Sequence, residues 1–180
     1  MRSTPETPAT VDPLVLDRIL LLQTLLYASS DLDHLAELCC SSLLVIPGVE
    51  GVELRAEDRV VAAFDASGKL SVAAFEKLRS DFEVLPVRIA TIATTFGEFH
   101  FAISNTKKFR HYQPSVRSVA NLVALIQEGW KRLADLEALN ANLVLQLEEP
   151  IKDLQESKVR SSQLEPPKRS LGQGSVADGS

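Results

Sequence analysis

The sequence predicts an α+β fold in which N- and C-terminal helices cover an antiparallel sheet and the last helix is long. Three observations carry that expectation. Apolar residues recur at helical spacing near both ends of the chain. A period of two governs the middle, in "GVELRAE" and "TTFGEFHFAIS". From Ser115 to Glu149 no helix breaker occurs except Gly129. A sheet with one apolar face needs helices to cover it, and these flank the strands in sequence.

Taken in order, residues 1–13 are rich in Thr, Pro and Glu and read as a flexible N-terminus. Leu14, Ile19, Leu22, Leu25 and Leu26 then share one broad helical face. Ser29-Ser30-Asp31 supplies a cap for a second helix, "DLDHLAELCCSSLLVI", which ends at Pro47-Gly48. In "GVELRAE", Val52, Leu54 and Ala56 face one way and Glu53, Arg55 and Glu57 the other, a half-buried strand. A turn at Glu57-Asp58 leads to the strand "RVVAAF". "DASGK" breaks the pattern, and "LSVAAFEKLRS" reads as a short helix or a loop with a helical turn. A second hairpin joins "FEVLPVRIAT" to "TTFGEFHFAIS"; Pro86 places its first strand at an edge or at a strand start. A polar link, "NTKKFRHYQP", opens the long helix.

Bulk properties limit the function classes. The chain has 180 residues, enough for one core, with 45% hydrophobic residues, 24% charged and a net charge of -5. A mildly acidic chain has no general attraction for nucleic acid or anionic lipid. No apolar window reaches the ~18 residues of a membrane span, and "MRSTPETPATVDP" lacks the apolar core of a secretory signal. Cys39 and Cys40 are adjacent on a helix, diverge and cannot easily bridge, so a reduced cytoplasmic protein is expected.

The order helix, helix, two strands, helical insert, two strands, long helix resembles a GAF domain over residues 14–130. The stretch "VLPVRIATIATTFGEFHFAISNTKKFRHYQPSVRSVANLVALI" carries the likeness most closely: Pro86-Val87, Gly97, Phe109 and the run Val116 to Ile126 occupy the places that family uses. The resemblance implies a sensory or regulatory module of bacterial signalling, with a ligand pocket partly walled by the segment Asp65 to Phe82. That segment is short here, which implies a small cavity, and Phe64, Phe75, Leu78, Phe99 and Phe101 are its candidate lining. Family specialisations are missing. Asn105, Lys107 and Phe109 match the cyclic-nucleotide type, but Gln113-Pro114 stand where acidic residues belong. No cysteine follows Cys40, as the bilin-binding type needs, and an adjacent pair does not match the spaced cysteines of the sulfoxide-reducing type. The cofactor stays unknown.

A heptad register runs through the last helix. Val119, Ile126, Leu133, Asn140 and Leu147 fall at a; Leu122, Gly129, Leu136, Leu143 and Pro150 fall at d. Up to Trp130 the helix either covers its own domain or joins a partner. From Leu133 to Leu147 a homodimer is the stronger reading, with Asn140 facing its mate. The expected dimer interface is therefore Val119, Leu122, Ile126, Leu133, Leu136, Asn140, Leu143 and Leu147. Leu139, Val144 and Leu145 widen the stripe, as a four-helix bundle including Leu14 to Tyr27 of each chain would use. The coiled-coil helix is expected over 131–154, with Pro150 near its end and a disordered tail over 155–180.

Catalytic chemistry finds no constellation. His34, His100 and His111 have no metal-ligand spacing, "SGK" at 67–69 lacks a glycine-rich phosphate loop, and the basic "KKFRHY" reads as a solvated loop. His100 reads as part of a sheet surface. The expectation is no enzyme but a sensory or regulatory module that dimerises through its terminal helices and relays binding of a small molecule or signalling partner. The alternative is a ligand-free structural dimerisation or adaptor protein.

Overall fold

The computed structural model describes residues 11–164, with side chains over 11–160. Residues 1–10 of the expected flexible N-terminus and 165–180 of the expected tail lie outside the described residues. The chain divides into two units, Met1–Leu133 and Ala134–Ser180.

In the first unit, α1 (Pro13–Leu26) begins on Asp12, whose carboxylate accepts from the Leu14 N–H at 2.9 Å. The Asp12 N–H donates to the Tyr112 hydroxyl at 2.9 Å, so residues 11–13 are fastened to the body, unlike the expected flexible segment. Asp31 caps α2 (Leu32–Leu43) by accepting from the His34 N–H at 2.8 Å. The strands are β1 (Val49–Ala56), β2 (Arg59–Asp65) and the two-residue β3 (Gly68–Lys69). Ser71 caps α3 (Val72–Asp81), which settles the insert as a helix. β4 (Glu83–Ala90), β5 (Thr95–Ile103), the short α4 (Thr106–Arg110) and α5 (Gln113–Leu164) complete the chain.

The strands form one antiparallel sheet in the order β3-β2-β1-β5-β4, with β1 at its centre and Pro86 on the edge strand β4. One face carries Val52, Leu54, Ala62, Val87, Phe99 and Phe101. It is covered by α1 (Ile19, Leu22, Leu26), by α2 (Leu35, Cys39, Leu43) and by α5 (Val116, Val119, Val123). Phe101 stacks at a tilt against Phe99 and Phe109, with ring centroids 6.1 and 5.2 Å away. The other face is covered by α3, where Phe75, Ala63 and Ala102 form a small second core. β1 is therefore closed on both sides, and the expectation that its polar face is open to water fails because α3 lies over it.

The second unit is a helix, the remainder of α5 to Leu164. Pro150 does not end it, and residues 155–164 are helical where a disordered tail was expected. A proline removes one backbone hydrogen bond, at a cost of about 3 kcal/mol in a helix interior. The good helix formers on both sides, Glu148 and Glu149 before it and Lys152 and Leu154 after it, sustain the helix across that gap. No helix among the described residues is long and apolar enough to cross a membrane.

Candidate functional site

Neighbouring central strands bring four ionisable residues together under α3: Glu53 of β1 pairs with His100 of β5, and Arg55 with Glu98. The carboxyl of Glu53 is fully buried. Its Oε1 accepts from Nε of Arg55 and, at 3.2 Å, from Nη2 of Arg79 on α3. Arg55 also donates to Oε1 of Glu76 at 3.1 Å, so α3 is tied to the sheet by both its acid and its base. Nδ1 of His100 lies beside both Nη2 of Arg79 and, at 3.5 Å, Oε1 of Glu53. Nε2 of the same ring is 3.2 Å from Oε2 of Glu98. Arg79 also lies over the Phe75 ring, 5.8 Å from its centroid.

Burial by itself pushes the Glu53 carboxyl up. Contact with His100, the Arg55 hydrogen bond and the charges of Arg55 and Arg79 outweigh it, and the group ends below its ordinary value. The carboxylate is thus ionised at neutral pH although no water reaches it. Its Oε2 has no hydrogen-bond partner, and neither has the buried Nε of Arg79.

The five residues expected to line one pocket lie on two faces. Phe64, Phe99 and Phe101 belong to the main core, while Phe75 and Leu78 press on the opposite face from α3. Gly51 makes that approach close. A Cβ there would meet Leu78 Cδ1 at 2.7 Å and Phe75 Cε2 at 3.2 Å. Phe75, Phe99 and Phe101 are fully buried.

Open space begins beside the charged cluster, where Arg55, Glu98 and His100 also line a cleft. This cleft, of about 700 Å³ at the hairpin tips, is lined by Arg59, Thr95, Gln127 and Lys131 as well, among others. Its rim is the β1–β2 turn, where Glu57 and Asp58 both adopt left-handed backbone, φ 50° and 61°. Gln127 contributes a buried side-chain N–H group with no partner. A second groove, of about 590 Å³ between α1 and α5, is lined by Leu20, Tyr27, Leu122 and Leu125, with Gln23 donating to Ser118 at 3.1 Å beside it. The outer surface of α1 is apolar as well: Leu14, Leu20, Leu21, Leu25 and Tyr27 are all exposed.

The expected interface residues divide at the end of the first unit. Val119 is fully buried in its own core, and Leu122 and Ile126 are half-buried against it, so intramolecular packing claims the start of α5. Leu133, Leu136, Asn140, Leu143 and Leu147 are exposed. In the second unit Leu139, Val144, Leu145, Ile151 and Leu154 are exposed too.

Both cysteines are fully buried, and burial pushes each thiol far above its ordinary value, which disfavours the reactive thiolate. Among the described residues no group of three or more His, Cys, Asp or Glu could hold a metal ion. Sequence reasoning missed Glu53 and Arg79. The available signal was Glu53, Arg55, Glu98 and His100 on matching faces of two central strands, a charge density that a bare sheet surface does not need. Compared with protein-family models, curated proteins and solved structures, the chain has no match.

Proposed function

We propose that the chain is a sensory or regulatory module with a GAF-type fold that dimerises through its terminal helices in the reduced cytoplasm. The observation that carries this reading is the second unit. A lone helix exposing Leu136, Leu139, Leu143, Val144, Leu147, Ile151 and Leu154 on one broad stripe has no core of its own, and isolated helices are marginal in water without a packing partner. The element order and the helices on the two sheet faces support the family likeness, and the apolar outer surface of α1 supports a four-helix arrangement. In this reading α3, latched by Glu53, Glu76 and Arg79, is the element whose packing a small molecule or signalling partner shifts. α5 transmits the shift because the same helix caps the sheet and forms the arm. A ligand moves such an equilibrium only by its differential affinity for the two states. The reading assigns the chain no catalytic step.

One observation favours the adaptor alternative: Phe75 and Leu78 fill the space over Gly51 where the family's pocket is expected. Native mass spectrometry of the full chain, purified without added compounds, tests both readings. A dimer mass carrying a bound small molecule supports the sensor, and a bare dimer supports the adaptor. A monomer whose mass and sedimentation are unchanged by Leu136→Asp with Leu143→Asp removes both.

A further inference from the structure

The sequence pattern on either side of Pro150 and the helix that runs through it define a seam that the heptad does not describe. Carried past Asn140, the heptad puts Pro150 and Ser157 in the seam and leaves Val144 and Ile151 outside it. A spacing of 11 residues does better: Leu133 to Val144, Leu136 to Leu147, Asn140 to Ile151 and Leu143 to Leu154 each repeat at that interval. At 3.6 residues per turn, with Leu147 at zero, Ile151 lies at about 40°, Leu154 at about -20° and Lys158 at about 20°. Pro150 lies at about -60° and Ser157 at about -80° on the same scale. Gln146, whose carbonyl loses its donor to the proline ring, lies farther round at about -100° and is exposed. The unmade hydrogen bond therefore opens to water.

We infer that the arm pairs with a second copy of this chain through a seam that changes from a 7-residue to an 11-residue repeat near Asn140. Ile151, Leu154 and the aliphatic stem of Lys158 face the partner, and Pro150 stands on the flank. The inference rests on the dimer reading above and adds a position-specific surface to it. A strict heptad winds the pair left-handed, and an 11-residue repeat reverses that tendency. The arm is then nearly straight beyond Asn140. Pro150 is compatible with this arrangement because the ring meets no facing side chain.

Single cysteines introduced into the full chain at Leu136, Leu143, Pro150, Ile151, Ser157 and Lys158 test the inference by oxidative cross-linking. Cys39 and Cys40 stay in place, because both are buried and disfavour the thiolate. The expected result is disulfide yield at 151 and 158 several-fold above that at 150 and 157. The reverse order overturns the inference. Cross-linking at 136 and 143 with none beyond Pro150 also overturns it and leaves the dimer standing. No cross-link at any position overturns the seam, and the dimer reading falls with it only where the native mass is also that of a monomer. The 157/158 pair keeps the proline intact, so a change in helix geometry caused by Pro150→Cys cannot decide the outcome.

Discussion

Replacing Glu53 by Gln isolates what the buried carboxylate contributes. The wild-type group accepts two charge-assisted hydrogen bonds, from Arg55 and Arg79. Each is worth about 1.5–3 kcal/mol, and a neutral acceptor keeps roughly half of that. Arg55 and Arg79 are 31% and 25% exposed, so both recover some hydration when the charge is lost. The unpartnered Oε2 becomes an equally unpartnered NH₂, which changes little. The net loss is about 2 kcal/mol at pH 7, below the 3–5 kcal/mol of a fully buried broken pair. The sign with pH follows from linkage. The folded-state carboxyl lies below its unfolded value, so its contribution is complete above the ordinary glutamate range near ~4.3 and is lost as pH falls through the folded value. Urea unfolding followed by Trp130, the sole tryptophan and half-buried against the main core, reads the first unit. Wild type should exceed Glu53→Gln by about 2 kcal/mol at pH 7, and the gap should narrow as pH falls below the ordinary glutamate range. A variant as stable as wild type at pH 7, or a gap that does not narrow in acid, would refute the argument.

Two more outcomes follow from backbone geometry. Gly97 has φ 151°, and a Cβ there would sit 2.0 Å from the Arg55 carbonyl oxygen, so Gly97→Ala forces β1 and β5 apart. It should lower stability by more than about 3 kcal/mol, seen as a large fall in melting temperature or as loss of the folded state in circular dichroism. Asp58→Gly relaxes one of two left-handed residues in the β1–β2 turn and should raise stability by about 1 kcal/mol, while an unchanged urea midpoint would mean that the turn carries no strain.

Much of the fold could be read in the sequence because its signals are local. Asp12, Asp31 and Ser71 cap their helices, strand alternation follows the pleat, and Pro86 lies on an edge strand. The site was harder to read because it depends on which face α3 covers, and periodicity fixes only that two faces differ. Phe75 and Phe99 look alike in a sequence yet lie on opposite sides of β1. Glu53 reads as a surface residue in its own strand; its burial is compensated by His100 and Arg55 on the sheet and by Arg79, supplied by α3 26 residues away. Pro150 reads as a stop because propensity is local, whereas the continuing helix depends on the residues beyond it.

The two margins of the sheet bear on solubility. A protein whose copies are tethered by an arm holds its domains at high local concentration, where unpaired strand edges tend to zip into aggregates. Here one margin is β3, only two residues long, with Lys69 engaged by Glu37 of α2. The other, β4, is interrupted by Pro86, which has no N–H to offer a foreign strand. The proposed dimer would therefore bring such domains together without inviting the sheets to polymerise.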